Sequence, residues 1–169
     1  MKTWYSGLIA SLALCSAVVG AAELKVKPNA DPGPSVMAAA LRSTDLERSI
    51  KYYEAGLGMV VTGKLVNGPV TEVFLAFGGR EGQPGLLLFR DSTPGKSPPL
   101  DHGNAADRVL LRMPDVAATA ARLKAAGYEV GEVHANGNVK VLMIKDPDGH
   151  SFELAQLPQG DVQVKGSMQ

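Results

Sequence analysis

The side chains able to do chemistry are few. The chain carries three histidines, His102, His134 and His150, and one cysteine, Cys15. His150 and Glu153 stand three apart, which on a helix would suit a ligand pair. Their stretch reads as a strand, where residues three apart point to opposite faces, so the two do not chelate one ion. His102 falls in a connector rich in Pro and Gly, and His134 lies beside an Asn136-Gly137 turn. The residue reading of all three is a surface or loop imidazole. His102 meets Glu153 only if the connector folds back. Three arginines, Arg42, Arg108 and Arg112, sit on two apolar runs of matching pattern. A guanidinium offers bidentate geometry to carboxylate or phosphate, so the chemistry these residues suit is anion binding. The chain has no phosphate loop, nucleophile elbow or dinucleotide fingerprint.

Composition narrows the partners. Lys+Arg and Asp+Glu both count 17, a formal charge of zero. No basic excess exists to drive binding to a phosphate backbone, and aromatics at 5% give no stacking platform for bases. Nucleic acid is therefore excluded as the expected partner. Hydrophobic residues at 45% and charged residues at 20% suit a globular protein. A length of 169 residues suits one domain, or two small modules sharing a core.

The first 22 residues read as a signal peptide. Lys2 supplies a positive start, residues 7–19 an uncharged and largely apolar run, and Gly20, Ala21 and Ala22 a small-residue site. Cleavage after Ala21 or Ala22 is expected, and with it a periplasmic or secreted protein that no longer touches the membrane. The apolar run is shorter than the roughly 20 residues a span needs. Cys15 leaves with the leader, so the remainder has no thiol nucleophile or thiolate metal ligand. Residues 23–35, with Pro28, Pro32 and Pro34, read as a linker.

Two equal sets of elements follow. Residues 36–41 form a short apolar strand. Thr44 and Glu47 have capping-box spacing, and Leu46, Ile50 and Tyr53 recur on one helical face until Gly56 and Gly58. Strands are expected at 59–65, 70–77 and 86–90. After the connector the order repeats. A strand spans 108–113, and a helix opens at Pro114-Asp115 with Val116, Ala120 and Leu123 on one face. Gly127 stops it, and strands follow at 128–134, 139–145 and 151–156. An offset of 70 lays Leu41-Arg42 on Leu111-Arg112 and Asp45 on Asp115. The chain is thus expected to be α+β, two βαβββ modules at 36–91 and 107–157 before a polar tail at 158–169. Neither module closes a core alone, so pairing buries one core and leaves a cupped sheet with helices outside.

The segment from Leu41-Arg42-Ser43-Thr44-Asp45-Leu46 to Leu57-Gly58-Met59 resembles the opening of glyoxalase I. Asp146-Pro147-Asp148-Gly149-His150-Ser151-Phe152-Glu153-Leu154 resembles the closing strand of the same family. The wider group is the vicinal oxygen chelate superfamily, with glyoxalase I, extradiol dioxygenases and bleomycin resistance proteins among its members. The resemblance implies a divalent metal held by the first and last strand of each module. Its four ligand places fall on Ala38, Leu87, Arg108 and Glu153. Only Glu153 can ligate, while Arg108 is itself a cation, and a hard divalent ion needs several oxygen or imidazole ligands. No metal or other cofactor is therefore expected. In glyoxalase I an arginine at the place of Arg42 helps bind the anionic end of the substrate.

Strand alternation puts Ala38, Ala40 and Arg42 on the cup face, with Met37, Ala39 and Leu41 toward the helix. Arg108, Leu110 and Arg112 then share the cup with Ser151 and Glu153. Arg108 and Glu153 are expected to form a buried ion pair on its floor. The first reading is an exported binder of a small, anionic organic molecule through Arg42, Arg108 and Arg112. The alternatives are a glyoxalase-type lyase or isomerase with Glu153 as its catalytic base and a metal in the cup, or a dimerising module without ligand. A homodimer fits all three.

Overall fold

The computed structural model describes residues 34–78, 84–96 and 99–158. The expected signal peptide, the linker up to residue 33 and the tail from residue 159 lie outside them. The first half runs β1 (Ala38–Arg42), α1 (Leu46–Tyr52) with a π-helical turn at Tyr53–Leu57, β2 (Met59–Asn67), β3 (Val70–Phe77) and β4 (Gly85–Asp91). The second runs β5 (Val109–Arg112), α2 (Val116–Ala125), β6 (His134–Asn136), β7 (Val139–Lys145) and β8 (Ser151–Gln156). The two four-stranded sheets have the orders β1-β4-β3-β2 and β5-β8-β7-β6. Each pairs its first strand in parallel with its last and its remaining neighbours antiparallel. The repeat of βαβββ modules is therefore real, and the fold is α+β.

The period-2 pattern sorts the side chains as expected. Ala39, Leu41, Val109 and Leu111 pack against the core, whereas Arg42, Leu110 and Arg112 are exposed. Met37 departs from this: it precedes the first paired residue of β1 and stays 73% exposed. One apolar cluster joins the halves, with Tyr52, Tyr53, Leu57, Leu75 and Leu88 from the first and Leu123, Leu142, Phe152 and Leu154 from the second. Close approach is built in at Gly56, where a Cβ would lie 2.3 Å from Leu123 Cδ2. It is also built in at Gly85, where a Cβ would meet the Leu75 carbonyl oxygen at 2.2 Å.

Two sequence expectations are corrected. The cap of α1 is Asp45, whose carboxylate accepts from Arg48 N at 3.1 Å, and not the Thr44–Glu47 box. Asp115 caps α2 in the same way through Ala118 N at 3.0 Å. A short carboxylate reaches the free N–H groups of the first turn well, and its charge favours that end of the helix. The second correction is the strand expected at 128–134. Only His134–Asn136 pair with β7. Tyr128 instead donates its N–H to Leu123 O and lays its ring edge-on to Tyr52 at 4.7 Å.

Asp45's use as the cap frees Thr44 for a longer bond. The β7–β8 turn of the second module docks on the β1–α1 corner of the first. Asp148, with 1% of its side chain exposed, accepts from Thr44 N (3.1 Å), Thr44 Oγ1 (2.5 Å), Ser49 Oγ (2.8 Å) and Arg48 Nη2 (2.7 Å). Asp146 accepts from Tyr53 Oη at 2.6 Å and from the N–H groups of Asp148 and His150. Tyr52 donates to Lys145 O at 3.0 Å. Burial, then the charge of Asp146, pushes the Tyr53 hydroxyl far up, so it stays a donor.

Burial would push the Asp148 carboxyl up, but the hydrogen bonds of Thr44, Ser49 and Ser43 together outweigh it and hold the group below its ordinary value. A depressed carboxylate stabilises the fold fully above its unfolded pKa of about 3.9, and that contribution is lost as pH falls through the lower folded value. Asp148→Ala leaves several buried donors unpaired and should cost about 3 kcal/mol by chemical denaturation at neutral pH. Arg48→Ala removes a partner that is 46% exposed and should cost about 1 kcal/mol or less. The two variants should converge in stability with wild type only toward the acid end. Equal losses at neutral pH would mean that the ion pair, not the buried hydrogen bonding, holds the corner.

Candidate functional site

Parallel pairing of β5 with β8 sets Leu110 opposite Glu153 and brings the residue before β5 across to the same carboxylate. Arg108 Nε donates to Glu153 Oε2 at 2.5 Å, and Arg108 Nη1 donates to Asp107 Oδ2. The hydrogen bond and charge of Glu153, with the charge of Asp107, hold the Arg108 guanidinium above its ordinary pKa. The meeting of Arg108 with Glu153 matches the sequence expectation, but its setting does not. Arg108 keeps 42% of its side-chain surface and Glu153 keeps 19%. The pair is solvent-touched, on the wall of an open hollow.

The other two arginines stand apart. Arg42 stacks its guanidinium carbon 5.0 Å from the centre of the Phe89 ring, its neighbour across the β1–β4 pairing. It lines a hollow of about 390 Å³ with Lys96, Asp91 and Asp101. Arg112 lies opposite Ala155 on the exposed face, and among the described residues it forms no ion pair. Arg108 belongs to a different hollow, of about 460 Å³, shared with His102, Lys145, His150 and Ser151. The three arginines therefore do not converge on one point.

The connector does fold back, as a meeting of His102 with the sheet requires. His102 Nε2 lies 3.0 Å from Asp148 O, and His150 Nε2 lies 2.7 Å from Arg42 O. A carbonyl only accepts, so each ring donates its Nε2–H. The rings meet edge to face at 4.9 Å. Gly149, at φ +92, makes the room, since a Cβ there would sit 2.9 Å from His102 Nε2. His102 thus closes the junction instead of reaching Glu153. His134 stays in β6, away from both.

These residues do not fit a divalent metal. Of the four places on Ala38, Leu87, Arg108 and Glu153, the one carboxylate is already bound to a guanidinium. Among the described residues no group of three or more His, Cys, Asp or Glu side chains converges. Introducing a cation at Glu153 would set it against Arg108. Sequence reasoning also missed working residues. Tyr53 is legible only as part of an apolar helix face and Lys145 only as the end of a strand, while nothing in the apolar pattern singles out Tyr52 or Asp148. The signal available for Asp148 was its place in an Asp-Pro-Asp-Gly turn, which fixes a carboxylate rigidly.

Comparison with known proteins agrees with this architecture. Residues 35–154 match the Glyoxalase/Bleomycin resistance protein/Dioxygenase superfamily. A probable lactoylglutathione lyase of Vibrio parahaemolyticus is 31% identical over 137 residues, covering 78% of this chain and 96% of that protein. The trypanothione-dependent glyoxalase I of Leishmania major superposes with a TM-score of 0.61 at 26% identity, over 73% of this chain and 86% of that one. An antibiotic binding protein of a Streptomyces species, TnmS3, shares the fold at 24% identity and a TM-score of 0.59, over 74% of this chain and 97% of that one. By its two βαβββ modules and the match over residues 35–154, the chain belongs to the Glyoxalase/Bleomycin resistance protein/Dioxygenase superfamily.

Proposed function

We propose that this chain is an exported protein that binds a small organic anion, with Arg108 as its anchoring cation. The observation that carries the reading is the bond from Arg108 to Glu153, both at places where the family resemblance implies metal ligands. In this reading Glu153 is an internal anion that occupies the guanidinium until a ligand's carboxylate displaces it. Lys145, with no ion pair among the described residues, adds a second cation to the same hollow. Arg42 and Arg112 lie outside that hollow, so they supply long-range attraction and no direct contact. The charged start and apolar run of the first 22 residues support export.

A second reading is a lyase, favoured by the name of the Vibrio parahaemolyticus relative. Glu153 is then the base, and a metal must enter despite Arg108. The readings part on metal. The binder should hold much less than one Zn, Ni, Mn or Fe per chain after mild purification, measured by elemental analysis. One tightly held ion per chain, lost on Glu153→Ala, would establish the lyase reading instead.

The binder makes two further measurements informative. In a thermal-shift series with small mono- and dicarboxylic acids and no divalent ion, at least one acid should raise the melting temperature. Glu153→Gln should strengthen that response by removing the competing internal anion, and Arg108→Leu should abolish it. If Glu153→Gln weakens the response, Glu153 is a ligand contact and not a competitor. Because Arg108 is solvent-touched, the same substitutions should change the unliganded melting temperature only slightly. N-terminal sequencing of the exported protein should find a start at Ala22 or Glu23, and a start at Met1 would end the export reading.

A further inference from the structure

A hollow of about 960 Å³ opens along the outer edge of β7, walled by Tyr52, Tyr128, Val130, Met143 and Lys145. Its origin is an unpaired strand edge. Asn136 pairs with Val139 around the two-residue loop Gly137-Asn138, with Gly137 at φ +58. The closing pair of such a hairpin exchanges both backbone hydrogen bonds, so residues 139, 141, 143 and 145 all aim their backbone groups toward the β6 side. β6 ends at His134, opposite Val141. Met143 and Lys145 therefore have no ladder partner on that side among the described residues. Of their outward groups, Lys145 O alone has a partner among the described residues, the Tyr52 hydroxyl at 3.0 Å.

The first module carries the same element in closed form. Its Asn67-Gly68 turn matches Asn136-Gly137. Counting back from each, Val60 matches Glu129, Val61 matches Val130, Thr62 matches Gly131 and Gly63 matches Glu132. β2 pairs with β3 along its whole length, with a bulge between Val61 and Gly63 that leaves Thr62 unpaired. Past the bulge, Met59 is buried in the core, while Val61, opposite the buried Leu75, stays 41% exposed. Residues 128–133 already have the orientation that such a bulge at Gly131 would give, since Tyr128 and Val130 pack against the core. They also lie alongside β7, where a Cβ on Gly131 would be 3.8 Å from Met143 O. What they lack is the ladder of bonds, Glu132 with Met143 and Glu129 with Lys145.

We propose that residues 128–133 form a strap that zips onto β7 in the register of β2 and thereby closes the hollow, and that Tyr52 is the latch holding it open. The Tyr52 hydroxyl already donates to Lys145 O, the acceptor that the Glu129 N–H would use, so a closed strap must share that carbonyl with the hydroxyl or displace it. Zipping would turn the outward groups of Met143 and Lys145 from hollow-facing to strand-paired. A small molecule in the hollow and a closed strap therefore exclude each other. Lys145 and Ser151 line this hollow and the one beside Arg108, so the strap borders the proposed anion site without being part of it.

Residue-resolved amide hydrogen exchange tests this. In the wild-type protein the Met143 and Lys145 amides should exchange far faster than their closed counterparts Phe74 and Ala76. Equal protection would overturn the proposal without any variant. Tyr52→Phe keeps the ring and removes the hydroxyl, and it should slow exchange at Glu129, Glu132, Met143 and Lys145 by roughly fivefold, the effect of one net hydrogen bond. Adding Glu132→Pro removes a ladder N–H and should restore fast exchange at Met143 and Lys145. Unchanged exchange in a folded Tyr52→Phe protein, or slow exchange that survives the proline, would show that Tyr52 is no latch.

Discussion

A carboxylate with almost no exposed surface must be hydrogen-bonded or the fold that buries it fails. Asp148 is that carboxylate here, and four donors from one corner of the first module satisfy it. Much else depends on this contact. It fixes the end of β7 against α1, which sets Tyr52 over Lys145 and Tyr53 on Asp146. It places Asp148 O to receive His102 and so ties the connector down. It also sets where β8 begins, and through β8 the position of Glu153 opposite Arg108. The apolar core supplies the larger area, but it does not specify one orientation of the modules. The directional bonds of Asp148 do.

The charge at Arg108 changes what this scaffold can do. A guanidinium cannot lose its proton under ordinary conditions and takes up no ligand field, yet it supplies a fixed positive charge with planar donors. It is held by two carboxylates, Glu153 and Asp107, and in the proposed function an incoming anion takes the place of the first. That differs from a Lewis-acid site, which activates what it binds. Membership in a superfamily that includes lyases and binding proteins does not choose between these roles, since the fold supports both. The choice is made by side chains at a few strand positions.

The architecture was legible from residues wherever local pattern decided. The bounds of β3, β7 and β8 follow from alternation and flanking turns, and the Val116, Ala120 and Leu123 stripe of α2 is buried as its spacing demands. The meeting of Arg108 with Glu153 was readable because the family resemblance put both at metal-ligand places and strand alternation put both on one face. Other features were hidden because their cause lies far away in sequence. Residues 128–134 have the composition of a strand, and what keeps most of them unpaired is a tyrosine from the other module. Thr44 looked like a cap because nothing nearby announces its distant partner Asp148. The exposure of Arg108 was likewise hidden, because alternation gives the face a side chain takes and not how far that face is covered.

The inter-module fastening also constrains the order in which the chain can fold. Its bonds join residues 93 to 108 positions apart, from Tyr52–Lys145 to Arg42–His150. Contacts of such long range close large loops and form late, after local hairpins and helices. During synthesis the first module emerges complete while its β1–α1 corner still has its donors exposed to water. Only when the turn at Asp148 has left the ribosome can that corner be sealed. Until then the half-made molecule presents an apolar helix face and an open core, the state most exposed to aggregation and most readily kept unfolded by a chaperone.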